Sequence, residues 1–131
     1  MLWGLAMSET FKDKRILIVE DEYFIAQDIK RVLHQAGAEV LGPVSTLSEG
    51  MCIAEEGRLD AAILDVNLHG QMSYTLAEQL AKSHVPHLFL TGYDDWSLAE
   101  PHRDTPRMAK PFQPMILLAA LERLLSAEAS A

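Results

Sequence analysis

The sequence predicts a three-layer α/β sandwich built on a parallel sheet, and three observations carry that reading. Short apolar runs, too brief for helices, alternate with longer stretches whose apolar residues recur at helical spacing. The short runs are continuous and rich in branched residues, as strands buried on both faces require. Gly and Pro punctuate the joins between the two kinds of segment.

Arg15 to Val19 (RILIV) is the first buried strand. Glu22 to Ala36 places Phe24, Ile25, Ile29, Val32, Leu33 and Ala36 on a helical stripe, which Gly37 ends. Ala38 to Leu41 makes a second strand, stopped by Gly42-Pro43. Ser45 or Thr46 caps a second helix with Leu47, Met51, Cys52 and Ala54 inward, before Gly57. Asp60 to Leu64 is the third strand, and after the loop VNLHGQ a third helix runs from Ser73 to Lys82 with Leu76 and Leu80 inward. His87 to Leu90 is the fourth strand. Residues 94–106, interrupted by Pro101 and Pro106, give a short or irregular fourth helix. Pro106 to Ala109 is a short fifth strand. Pro114 opens a last helix with Leu117, Leu118, Leu121, Leu124 and Leu125 as its apolar stripe. The expected domain covers residues 12–127, between an N-terminal extension (1–11) and a C-terminal tail (128–131). Residues 1–10 read either as a frayed end or as Leu2, Trp3 and Leu5 docked on the domain or a neighbour.

Bulk properties narrow the function. A chain of 131 residues fits one domain, with no repeat or linker. The formal charge is 11 − 19 = −8, with no basic stripe, which argues against nucleic-acid binding. No apolar run approaches the ~20 residues that span a bilayer, and the start lacks the basic region of a secretory signal. The single cysteine, Cys52, precludes an internal disulfide; it reads as a small core residue of a protein in a reducing compartment, the cytoplasm.

Polar residues recur where the strands end. Glu20, Asp21 and Glu22 follow the first strand, Asp65 ends the third, Thr91 the fourth and Lys110 the fifth. Open parallel sheets bind ligands beyond those strand ends, so the coincidence predicts an active site. Carboxylates gathered without enough cations repel one another, and a hard divalent ion such as Mg²⁺ resolves this. Asp65 then becomes a carboxylate nucleophile able to form an acyl phosphate. Lys110 supplies mobile positive charge to phosphoryl oxygens, and the Thr91 hydroxyl and the amides around Asn67 and Gly92 supply donors.

The segments ILIVEDE, AAILDVNL, HLFLTGYDD and MAKPF resemble the receiver (response-regulator) domain of two-component signalling over about residues 12–127. The spacings agree: 65 − 21 = 44, 91 − 65 = 26 and 110 − 65 = 45. The resemblance implies a CheY/flavodoxin-like sheet of order 2-1-3-4-5, with Asp65 phosphorylated. It implies Mg²⁺ held by the Asp21 and Asp65 side chains, by the Asn67 main chain and, through water, by Glu20. It also implies that Thr91 swings toward the phosphate, that Lys110 pairs with it, and that the Lys110–Pro111 bond is cis. Where receivers usually carry an aromatic three residues before the Lys, Arg107 stands. Residues 86–93 (PHLFLTGY) resemble instead the PFxFATGY signature of the FAT GUY subgroup of alphaproteobacteria, often free-standing, with Leu90 in place of its Ala. That likeness makes Tyr93, with a weakly held segment around residues 93–105, the expected reporter of phosphorylation.

The expected function is a stand-alone receiver, since no output domain follows residue 131. It accepts phosphate from a histidine kinase or histidine phosphotransfer protein, then binds a downstream protein or serves as a phosphate sink. Its own catalysis is limited to taking the phosphoryl group and later hydrolysing its aspartyl phosphate, with Asn67 and Tyr93 placed to tune the lifetime. The alternative is a pseudo-receiver that binds proteins without phosphorylation. A phosphatase with an aspartyl phosphate intermediate would want an acid where Asn67 stands, and a flavodoxin would want a phosphate-cradling loop after the first strand. His84 and His87 flank Pro86 in a loop-to-strand join, not one helix face, which argues against zinc. Trp96 reads as a surface anchor or a half-buried aromatic.

Overall fold

Five strands align in one parallel sheet, and the computed structural model of the chain describes residues 9–92 and 98–130. In chain order the elements are β1 (Arg15–Val19), α1 (Tyr23–Gln35), β2 (Glu39–Val44), α2 (Leu47–Glu56), β3 (Ala61–Asp65), β4 (Asn67–Leu68), β5 (Gln71–Met72), α3 (Tyr74–Lys82), β6 (His87–Thr91), β7 (Arg107–Ala109) and α4 (Pro114–Ser130). The sheet order is β2-β1-β3-β6-β7, the doubly wound order expected, so the chain reverses its direction of travel between β1 and β3. Carboxyl ends on either side of that reversal form a crevice.

Burial explains why the strands read as unbroken apolar runs. Ile16, Ile18, Ile63, Leu88 and Leu90 face a core closed by α1 and α4, while Leu17, Val19, Leu64 and Phe89 face one closed by α2 and α3. Each central strand therefore spends alternate residues on opposite apolar layers. The last helix buries Leu117, Leu118, Leu121 and Leu125 as its stripe predicts. Phe11, at the edge of the expected N-terminal extension, is buried in the α1–α4 layer.

Four expectations change. Phe24 leaves the inner stripe and is 80 % exposed, because α1 turns Ile29, Val32 and Leu33 inward and Phe24 shares the outer face with Asp28 and Arg31. Cys52 is exposed, lying one step round the helix from half-buried Met51. Helix α2 buries Gly50 instead, against Val19 and Leu76. Strand β2 passes through Gly42-Pro43: Leu17 pairs with Leu41 but Val19 with Val44, so one extra residue bulges out. Gly42 has φ +100, and a Cβ there would lie 2.9 Å from the Ile18 carbonyl oxygen; β2 is an edge strand, where proline is tolerated.

Among the described residues the expected fourth helix is reduced to one 3₁₀ turn, Glu100–His102. Residues 98–105 are nonetheless well anchored. Leu98 and His102 are buried, the Ala99 amide donates to Tyr74 Oη at 3.0 Å, and the His102 ring stacks on Tyr74 at 4.5 Å. Thr46 is the residue that caps α2, its hydroxyl accepting from the Glu49 amide at 3.2 Å and donating to the Glu49 carboxylate at 2.8 Å.

The Gly50 contact gives a direct test. A Cβ at that position would sit 2.9 Å from Val19 Cγ2 and 3.0 Å from Leu76 Cδ2, both in fully buried side chains. Gly50→Leu is expected to lower stability by about 2 kcal/mol through overpacking, and Gly50→Ala by less because helix propensity offsets the crowding. Urea midpoints at unchanged slope measure both; an undiminished midpoint for Gly50→Leu would show α2 free to shift.

Candidate functional site

The polar residues of the site each lie at or just beyond a strand end. Glu20 and Asp21 follow β1, Asp65 is the last residue of β3, and Lys110 follows β7. Thr91, which ends β6, lies one residue past Leu90, the partner of Asp65 in the β3–β6 ladder. Glu20 is fixed by its amide, which donates to the Val44 carbonyl at 2.9 Å, a contact the β2 bulge delivers. Asp65 is fixed from behind: Ser73 Oγ donates to the Asp65 carbonyl oxygen at 2.8 Å instead of capping α3. The Lys110–Pro111 bond is cis.

Lys110 is the hub. Its Nζ donates to Glu22 Oε1 at 2.8 Å, Asp65 Oδ2 at 3.0 Å and Glu20 Oε2 at 3.1 Å. Glu20 Oε2 also accepts from the Glu22 amide at 2.9 Å, whereas Glu20 Oε1 makes no hydrogen bond although it lies 2.9 Å from Nζ. The Asp65 and Glu20 side chains are 5 % and 0 % exposed, so their charges meet little water. Thr91 Oγ1 is buried and has no hydrogen-bond partner among the described residues.

A short antiparallel hairpin, β4–β5, forms the far rim where the sequence suggested only a loop. Its two-residue turn, His69 and Gly70, has φ of 51 and 89, the positive pair that matches the twist of a tight hairpin. The turn is tied to the site: the His69 amide donates to Asp21 Oδ2 at 3.1 Å, His69 Nε2 lies 3.3 Å from the same oxygen, and the Gly70 amide donates to Asn67 Oδ1 at 2.6 Å. Asp21, Glu22, Asp65, Asn67, His69, Gly70, Gly92 and Lys110 line the resulting open pocket.

The charge balance is uneven, since one ammonium faces four carboxylates. Burial pushes the Asp65 carboxyl up to about 8, the Glu20 charge adds to that, and the Lys110 hydrogen bond offsets only part. Burial raises Glu20 as well, against its bonds to Lys110 and the Glu22 amide. Burial works to lower Lys110, but hydrogen bonds to Glu22, Glu20 and Asp65 outweigh it and hold the ammonium above the usual lysine range. Oxygens from Glu20, Asp21, Glu22 and Asp65 all lie within 4.8 Å of one another, the only such group among the described residues. An all-oxygen set with excess negative charge and an unpaired buried oxygen suits a hard divalent cation.

Of the residues singled out in the sequence, Asp21, Asp65, Asn67, Gly92 and Lys110 line the pocket, Glu20 joins them through Lys110, and Thr91 lies buried at the end of β6, while Tyr93 and Trp96 lie outside the described residues. Sequence reasoning missed the Lys110 bond of Glu22 and the His69-Gly70 turn; Gly70, suited to a positive φ, was the one available signal, since Asn67-Leu68 and Gln71-Met72 carry no strand preference. Arg107 stands in β7, its Nη1 donating to the Arg103 carbonyl at 3.3 Å.

The raised Asp65 carboxyl has a stability consequence. Its folded value of about 8 exceeds the ordinary 3.8, so the native state favours the protonated form. The stability it contributes is complete below about pH 4 and is lost as pH rises through 8. Metal-free Asp65→Asn is therefore expected to be at least about 1 kcal/mol more stable than the parent at pH 7, with the gap closing by pH 4. Chemical denaturation in chelator across that range measures it, and a pH-independent difference would refute the assignment.

The Response regulator receiver domain family matches residues 16–122. The chain is 32 % identical over 117 residues to the transcriptional regulatory protein PdtaR of Mycobacterium tuberculosis, covering 86 % of this chain and 57 % of that protein. It is 35 % identical over 121 residues to the phyllosphere-induced regulator PhyR of Methylorubrum extorquens, covering 88 % and 45 %. The chain spans about half the length of these curated relatives. The solution structure of SdrG from Sphingomonas melonis is similar with a TM-score of 0.70 at 38 % identity, covering 90 % of this chain and 99 % of that one. The doubly wound order, the strand-end carboxylates and Lys110 all fall within the matched segment, and the chain belongs to the response regulator receiver domain family.

Proposed function

We propose that this chain accepts a phosphoryl group on Asp65 from a histidine kinase or histidine phosphotransfer protein, and signals by contact with a downstream protein or drains phosphate as a sink. The observation that carries the reading is Asp65 itself: a buried carboxylate in an open crevice, 3.0 Å from the Nζ of a lysine. An Asp65 oxygen attacks phosphorus as the phosphorus–nitrogen bond to the donor imidazole breaks, and that bond's electron pair stays on the nitrogen. Lys110 then moves its charge onto a phosphoryl oxygen, and Thr91 Oγ1, which has no other partner, gains one by donating to another. Hydrolysis reverses the modification: water attacks phosphorus, inorganic phosphate departs and the carboxylate returns.

Asp21, Asp65, the Asn67 main-chain carbonyl and, through water, Glu20 would hold Mg²⁺. When bound, the ion neutralises charge on the phosphoryl oxygens. The donor set fits it, since four carboxylates converge there beside a single ammonium. A cytoplasmic setting agrees with the lone, free Cys52 and with the lack, among the described residues, of any helix long and apolar enough to cross a membrane.

The likeness of residues 86–93 to the FAT GUY signature supports assigning the readout to Tyr93, immediately after Gly92 at the pocket rim. Arg107 occupies the position of the usual reporting aromatic.

Incubation with acetyl phosphate and Mg²⁺ is expected to add one phosphate to the intact mass, and Asp65→Asn to abolish the addition. Failure of the parent protein to be modified by acetyl phosphate or by a cognate kinase would favour the phosphorylation-independent pseudo-receiver. Tyr93→Ala is expected to be phosphorylated at the parental rate yet to lose phosphorylation-dependent binding of the downstream partner. Normal transmission by that variant would move the readout elsewhere.

A further inference from the structure

An ammonium offers three N–H donors, and in this structure Glu22, Asp65 and Glu20 take one each. If Asp65 carries a phosphoryl group, as proposed above, Lys110 must free a donor for it. Glu20 is poorly suited to release its share, because its side chain is 0 % exposed and would be left as a buried charge without its cation. Asp65 is the acceptor. Glu22 differs from both: its side chain is 58 % exposed, water can hydrate it once released, and it makes the shortest of the three contacts.

We propose that Glu22 is a releasable clamp on Lys110, a positioning residue that holds the lysine in the resting site and competes with the phosphoryl group for it. The backbone supports this role. The Glu22 amide donates to Glu20 Oε2, so residue 22 is anchored to the buried acid while its own carboxylate reaches the lysine from the solvent side. Tyr23 begins α1 at the next residue, which fixes the direction of approach. The Glu20 and Asp65 contacts do not pass through the Glu22 side chain. Neutralising the carboxylate as an amide therefore weakens this one hold on Lys110. It also deletes one of the four clustered acids, so affinity for a cation and affinity for a phosphoryl mimic move in opposite directions.

The test compares the parent, Glu22→Gln and Asp28→Asn by calorimetric titration, first with Mg²⁺ alone and then with beryllofluoride at saturating Mg²⁺. Asp28 is the control, since it lies on α1, the helix that Glu22 precedes, is 60 % exposed and pairs with Arg31. Glu22→Gln is expected to bind beryllofluoride about threefold more tightly at low salt, to bind Mg²⁺ more weakly, and to lose the gain as salt rises. Asp28→Asn is expected to match the parent. Beryllofluoride binding by Glu22→Gln that is unchanged or weaker would overturn the clamp, as would an equal gain in Asp28→Asn, which would reduce the effect to net charge. A parent protein that binds no beryllofluoride and takes no phosphate would instead bring down the phosphoacceptor reading itself.

Discussion

One lysine holds together a group of acids that would otherwise repel one another. Lys110 reaches across from the end of β7 to Glu20 and Asp65, which belong to β1 and β3 on the far side of β6. Without that contact the carboxyl ends of two strands, β1 and β3, would present like charges to one another, two of them buried from water. The sheet order makes the reach possible and the apolar layers on either face make it rigid. The site is therefore a property of the whole sheet, not of any one loop.

The same arrangement explains why the resting site is tense. Asp65 and Glu20 both sit where burial disfavours their charge, and the buried Thr91 hydroxyl has no partner among the described residues. Buried polar groups in folded proteins are rarely left in this state. An added cation and a phosphoryl group would supply what each of them lacks: positive charge for the acids and an acceptor for the hydroxyl.

How much of this was legible in the sequence depends on the range of the interaction. The strands were readable because burial on two faces demands uninterrupted apolar residues, and Asp65, Thr91 and Lys110 were readable because they break those runs at their ends. Spacing could place Glu22 at a strand end but could not aim its carboxylate at a residue 88 positions away. The inward face of α1 was misread at Phe24 because apolar character alone does not say which side of a helix meets the core. Cys52 failed for the same reason, and Gly50 succeeded in its place because α2 approaches Val19 too closely for a side chain. The Gly42-Pro43 pair looked like a terminator, since a sequence does not reveal whether a strand lies at an edge that can absorb a bulge.

That dipeptide has a second effect. Routing Val44 to the Glu20 amide leaves β2 with an uneven outer margin: one residue stands out of register, and Pro43 has no N–H to offer. A neighbouring chain seeking to extend the sheet would find no continuous row of donors and acceptors there. At the opposite margin, β7 is only three residues long. Both margins of the sheet are thus poor templates for strand addition, and the irregularity that sets one acid in the crevice also interrupts an exposed edge.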